Sequence, residues 1–247
     1  MINYEVISNG FNSGEFFLEY LPTMSLENNG CLGAEALIRW QRPYGVVMPD
    51  DFIPSIENTP LSGLVTYWVI DTVAKELGAW LKATDNVYIS INVPPELLGR
   101  GGLEYAANKS GLADVKSKLI LEVTERGVPD KLGVDALNAA RHQGVLIALD
   151  DVGIEDSNLV VLAHCHVDII KIDRSVIRQM ESAETLNVIQ GIATLMNITK
   201  LDIIAEGVES ASQATALKKA GINMAQGWYF SPSLPAKDFT AFYLTHC

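Results

Sequence analysis

The chain has 247 residues, 30 acidic against 18 basic, and a formal net charge of −12; a nucleic-acid clamp needs a basic face to release counterions, so that class is excluded. At 48% hydrophobic and 19% charged residues it is too apolar for a disordered segment and rich enough for a sizeable core. Its apolar runs, such as Val145 to Leu149 and Leu159 to Ala163, fall far short of the ~20 residues that span a bilayer, which predicts no membrane contact by this domain. The amino terminus lacks the basic start and apolar run of a secretory signal, and Cys31, Cys165 and Cys247 are an odd number at no metal-like spacing. A cytoplasmic protein is expected, tethered to the inner membrane only if the chain belongs to a longer one.

In chain order, β-rich apolar runs at Phe16 to Tyr20 and Leu32 to Ile38 are followed by a helical pattern over Leu61 to Leu81 and a strand at Val87 to Asn92. A strand at Leu119 to Val123, a helix over Pro129 to His142 stopped by Gly144, and a strand at Val145 to Leu149 come next. Then a strand at Ile169 to Ile172 precedes a helix from Arg174 to Met196, and Ile203 to Ala205 precedes a helix from Ser210 to Ala220. Met224 with Ala225 and a helix from Pro235 to Tyr243 close the series. Strands this uniformly apolar are covered on both faces, as in a parallel sheet. Eight such units favour a closed barrel over an open doubly wound sheet, and no linker divides residues 1–247, so one domain is expected. The first two strands are joined by residues too polar for a crossover helix, and a hairpin is expected there. The α/β fold predicted is a modified (β/α)8 TIM barrel with its first strand antiparallel.

The chemistry-bearing residues sit at strand ends. Glu35 lies within the second strand, Asn92 ends the third, Glu122 is near the end of the fourth, and Asp150 and Asp151 end the fifth. Lys171 is on the sixth, Glu206 ends the seventh and Gln226 is at the eighth. A barrel gathers the carboxyl ends of its parallel strands at one mouth. Five carboxylates there repel one another unless they take up protons or hold cations, and ligands that are oxygen alone select hard ions such as Mg²⁺ or Mn²⁺. Adjacent Asp150 and Asp151 can serve two metals about 4 Å apart. Lys171, within the apolar run DIIKID, serves either the chemistry or a structural ion pair. Glu125 and Glu209 each follow a site carboxylate by three residues, and either support it or anchor a loop, unless they are ordinary helix-entry charges. His164, Cys165 and His166 lack a fourth ligand and are assigned no chemistry. Trp68 and Trp80 are assigned to packing. No P-loop, G-x-G-x-x-G or G-x-S-x-G segment is present, which removes the main support for nucleotide triphosphatase, dinucleotide oxidoreductase and serine hydrolase readings.

These residues fall in segments that resemble the EAL domains of bacterial cyclic di-GMP phosphodiesterases. GAEALIRW from Gly33 carries Glu35-Ala36-Leu37, and MPDDFIP from Met48, ISINVP from Ile89, LILEVTER from Leu119 and IALDD from Ile147 follow in family order. DIIKID from Asp168, IIAEGVE from Ile203 and QGWYFSPSLP from Gln226 complete the match across the chain. The resemblance implies a site that cuts one phosphodiester bond of cyclic di-GMP to linear pGpG through a two-metal-activated water. By position, Glu35, Asn92, Glu122 and Asp150 look like ligands of one metal, and Asp150, Asp151 and Glu206 serve a second. Lys171 and Glu206 are the implied catalytic pair, and Leu37, Arg39 and Gln226 match positions near the substrate. Family members use Mg²⁺ or Mn²⁺, two per site, and are commonly inhibited by Ca²⁺; they also pair as homodimers and carry sensor or regulatory domains. Bound cations reverse the local potential, so a dianionic substrate can approach this acidic protein.

The chain departs from the family pattern in three places. After the two aspartates it reads Val152-Gly153-Ile154-Glu155-Asp156-Ser157-Asn158-Leu159 in place of F-G-T-G-Y-S-S-L, which adds charge and removes a glycine from a loop tied to the second metal and to dimerisation. Leu21 stands where a Gln is often found, and Pro232-Ser233 differs from the usual tail. Catalysis is the leading expectation; the alternatives are a cyclic di-GMP receptor with little turnover and a barrel used for protein interaction.

Overall fold

The computed structural model describes residues 2–124, 130–153, 166–180 and 182–247. Its strands, in chain order, are β1 (Phe16–Ser25), β2 (Cys31–Arg42), β3 (Gly45–Val47), β4 (Tyr88–Asn92), β5 (Leu119–Thr124), β6 (Leu146–Val152), β7 (Ile169–Ile172), β8 (Asp202–Ala205) and β9 (Met224–Ala225). From β2 the neighbours run in parallel through β4, β5, β6, β7, β8 and β9. β1 closes the ring by pairing antiparallel with both β2 and β9, so eight strands form the barrel. β3 is a short hairpin partner on the far end of β2. Gly33 is required where β2 meets β4: a Cβ there would come within 2.0 Å of the Tyr88 carbonyl oxygen.

The strand positions follow the sequence expectation, although β1 and β2 run five and four residues beyond the expected ends, to Ser25 and Arg42. Around them lie the helices α1 (Tyr4–Asn12), α2 (Pro49–Phe52), α3 (Pro60–Ala83), α4 (Gly102–Ser110), α5 (Lys131–His142), α6 (Arg174–Arg178), α7 (Ala183–Thr199), α8 (Ala211–Ala220) and α9 (Ala236–Thr245). In α3, Pro60 occupies the first turn, where its missing N–H costs nothing, and Leu61, Val65, Val69, Val73, Leu77 and Leu81 repeat on its buried face. Asp130 caps α5 by accepting from the Gly133 amide, and Gly144, at φ +95°, follows its end. Ser210 and Gln213 form a reciprocal capping box at the start of α8. Trp80 packs edge-on against Phe239 and Tyr243, and Trp68 against Phe11, as packing residues do. Among the described residues no helix is long and apolar enough to cross a membrane.

One expected element is corrected. The helix read from Arg174 to Met196 is two helices, because side chains start it twice: Asp173 accepts from the Ser175 amide ahead of α6, and Ser182 accepts from the Thr185 amide at the entry to α7. The expected start of α5 at Pro129, together with Glu125, His164, Cys165 and residues 154–159 of the divergent loop, lies outside the described residues.

Candidate active site

Side chains alternate between the two faces of each strand, so the barrel interior is built in layers two residues apart. Ile120, Ala148, Ile169 and Ile204 form an apolar floor, with Leu146 and Met224 packed against it. One step of two residues toward the mouth, the same strands present Glu122, Asp150, Lys171, Glu206 and Gln226. Glu35 from β2 and Asn92 from β4 join that second layer: Asn92 Nδ2 donates to Glu35 Oε1 at 2.8 Å. Residues scattered over most of the chain thus converge on one mouth, as the strand-end pattern required.

Lys171 is at the centre of the layer, 1% exposed. Its Nζ lies 3.1 Å from Glu35, 2.9 Å from Glu122, 3.0 Å from Asp150 and 2.6 Å from Glu206. Gln226 Nε2 bridges Glu35 Oε2 at 2.7 Å and Glu206 Oε1 at 3.3 Å. Four carboxylates around one ammonium leave an excess of three negative charges when all are ionised. Burial and the four acidic neighbours act in opposite directions on Lys171, and the neighbours prevail, holding its ammonium well above its ordinary range. Burial likewise opposes ionisation of Glu35, but Lys171 and the amides of Gln226 and Asn92 outweigh it and lower that carboxyl. Burial, reinforced by Glu35 and Asp150, pushes Glu122 well up; burial, with Asp150 and Glu35 outweighing the pull of Lys171, raises Glu206 to about 8. Without further cations, part of the repulsion is relieved by protons.

The donor set fits a hard divalent ion. Oxygens of Glu35, Glu122 and Asp150 lie within 4.8 Å of one another, and so do those of Asp150, Asp151 and Glu206, so two oxygen clusters abut at Asp150. Glu122 Oε1 is buried without a hydrogen-bond partner among the described residues, and Asp150 Oδ1 faces Nζ without hydrogen-bonding geometry. Such orphaned acceptors are costly unless something positive reaches them. Neighbouring residues of a regular strand point to opposite faces, which would separate Asp150 from Asp151. The pairing of β6 with β7 shifts register between Leu149 and Val152, and Asp151 takes a left-handed φ of +58°; this bulge turns both carboxylates to the same side.

Leu37 and Arg39 follow Glu35 on the same face of β2, toward the mouth. Arg39 is buried and donates through Nε to Glu19 Oε2 at 2.9 Å and through Nη2 to Ser233 Oγ at 3.2 Å. Glu209 is on the rim, its carboxylate 3.3 Å from Arg178, where it ties the segment after β8 to the end of α6. Sequence reasoning missed three residues that touch the site residues: Thr23, whose hydroxyl donates to Gln226 Oε1 at 3.2 Å, and the Glu19–Ser233 pair on Arg39. Glu19 and Thr23 share one face with Phe17 and Leu21 in the alternation of β1, a face that the strand register sets against Arg39, Leu37, Glu35 and Gly33 of β2; Ser233 carried no such signal.

An eight-stranded barrel closed by one reversed strand, with an oxygen-rich mouth at the carboxyl ends of its parallel strands that could hold metal ions, defines a class of barrel. The chain belongs to the EAL domain family: the family model for the EAL domain matches residues 5–233. It is 34% identical over 244 residues to the probable cyclic di-GMP phosphodiesterase PdeB of Escherichia coli (strain K12), covering 94% of this chain and 45% of that protein. It is also 34% identical over 236 residues to the uncharacterized protein Rv1354c of Mycobacterium tuberculosis (strain ATCC 25618 / H37Rv), covering 92% of this chain and 38% of that one. The chain therefore spans less than half the length of these relatives. Among solved structures, the EAL enzyme Bd1971 in its cAMP- and cyclic-di-GMP-bound form superposes with a TM-score of 0.89 at 29% identity, over 97% of this chain and 67% of that one. The PaMucR phosphodiesterase in complex with c-di-GMP gives 0.86 at 28% identity, over 95% and 98%.

Proposed function

We propose that this chain hydrolyses one phosphodiester bond of cyclic di-GMP to give linear pGpG, using two Mg²⁺ or Mn²⁺ ions. The observation that carries the reading is the pair of oxygen clusters abutting at Asp150, beside a lysine, at the mouth of an EAL barrel. Glu35, Asn92, Glu122 and Asp150 hold one ion; Asp150, Asp151 and Glu206 hold the other. When bound, such a pair activates water and offsets the charge that develops on phosphate during in-line attack. Lys171 Nζ directs its charge at the phosphate oxygens, and its three N–H donors are held in place by the surrounding carboxylates. Glu206 Oε1, 2.6 Å from Nζ, is placed to accept the proton released by the attacking water. Gln226 fixes Glu35 and Glu206 relative to each other, while Leu37 and Arg39 line the approach. Glu209 anchors the loop after β8, and Glu125 is assigned the same kind of supporting role. Homodimerisation and control by further domains belong to this proposal and are supported by the family resemblance; a cytoplasmic location belongs to it on the odd number and spacing of the cysteines.

Incubation with cyclic di-GMP and Mg²⁺ or Mn²⁺ is expected to yield pGpG, and Glu35→Ala to abolish both product and divalent binding. Near-normal turnover in that variant would overturn the ligand assignment. Tight binding of cyclic di-GMP in Ca²⁺ without any product in Mg²⁺ or Mn²⁺ would replace the enzyme by a receptor.

A further inference from the structure

The ion pair that covers Arg39 is built from three separate segments. Glu19 comes from β1, where it pairs with Leu37, two residues from Arg39 and on the same inner face. Ser233 is carried in by the segment after β9, where Leu234 exchanges both backbone hydrogen bonds with Tyr20, at 2.7 and 2.9 Å, and so sets Ser233 beside Glu19. The Ser233 hydroxyl donates to Glu19 Oε2 at 2.6 Å and accepts from Arg39 Nη2 at 3.2 Å. Arg39 Nε reaches the same Glu19 oxygen, and Nη1 donates to the Ile38 carbonyl at 3.0 Å. Three of the five guanidinium N–H groups are thereby taken, and the other two have no hydrogen-bond partner among the described residues.

A guanidinium recognises phosphate through a planar fork whose orientation must be set before contact. Arg39 is 4% exposed, so its plane is fixed by these partners and not by solvent. We infer that Glu19, with Ser233, is a positioning residue that holds the Arg39 fork toward the phosphate of the cyclic dinucleotide and thereby sets substrate affinity. The inference rests on the phosphodiesterase reading of the mouth. It goes beyond it, because it assigns affinity to a β1 carboxylate that lies outside both oxygen clusters.

The test is steady-state kinetics with cyclic di-GMP, together with direct binding of cyclic di-GMP in Ca²⁺. Glu19→Ala should raise KM and Kd about tenfold, as expected for a lost charge-assisted contact, with kcat changed less than about twofold. Glu19→Gln keeps an oxygen for Arg39 Nε and should restore most of the affinity, and Ser233→Ala should give a smaller rise of the same kind. In an Arg39→Ala background, Glu19→Ala should have no further effect on KM, a coupling that a purely structural role would not produce. An unchanged or lowered KM in Glu19→Ala, or full additivity with Arg39→Ala, overturns the inference. Failure of the parent reading looks different: the unaltered protein would then neither cleave nor bind cyclic di-GMP.

Discussion

Two buried cations face the interior of the same barrel and are treated differently. Lys171 is a compact ammonium shared by four carboxylates and leaves a surplus of negative charge around it. Arg39, nearer the mouth, is matched among the described residues by a single carboxylate, Glu19, with a hydroxyl completing the contact. A balanced pair satisfies itself and serves as a fixed feature of the wall, whereas an unbalanced cluster is finished only by additional positive charge. The deep layer is thus suited to hold cations and the upper layer to orient an anion.

The contrast breaks most sharply at Lys171. With divalent ions chelated, Lys171→Met leaves four clustered carboxylates without their ammonium and should cost about 3–5 kcal/mol in urea unfolding. A loss below about 1 kcal/mol would show that protons alone balance the layer. Next in size is the response to metal: Mg²⁺ or Mn²⁺ at about a hundred times its Kd should stabilise the protein by about 2.7 kcal/mol for each ion bound, read as a rise in Tm. Asp150→Asn, which alters the one side chain common to both oxygen clusters, should remove most of that rise, and an undiminished shift would separate the clusters from the metal. Smallest is the rim, where Arg178→Ala breaks an exposed pair with Glu209 and should change stability by about 0.5 kcal/mol or less. A larger effect would mean that this loop anchor bears on the deep layer.

The barrel strands were legible because strands buried on both faces read as unbroken apolar runs, and the site was legible because a charged residue two positions beyond an apolar one marks the mouth layer: Ile120 and Glu122, Ile169 and Lys171, Ile204 and Glu206. Helix α1 was not, since Tyr4–Asn12 contains Ser, Gly and Asn; it is held by the Asn3 cap and by Gly10, whose missing Cβ admits Trp40. The break between α6 and α7 also escaped, because Asp173 and Ser182 cap without any Gly or Pro to mark the stop. Adjacent Asp150 and Asp151 suggested a shared role, but only the bulge explains how neighbours on one strand point the same way. The clamp on Arg39 depends on strand register and on a returning segment, neither of which local pattern encodes.

The reversal of β1 has a topological consequence. An all-parallel barrel receives its chain at the floor; here Phe16 lies level with Trp40, so the polypeptide enters at the rim and travels inward. Helix α1 leans on Trp40 at that rim, and the strand it feeds carries Glu19 and then Thr23, the partners of Arg39 and Gln226. One segment thus meets the anion-facing wall at Glu19 and, four residues further in, the cation-holding layer at Thr23, so a single strand joins the two levels of the mouth.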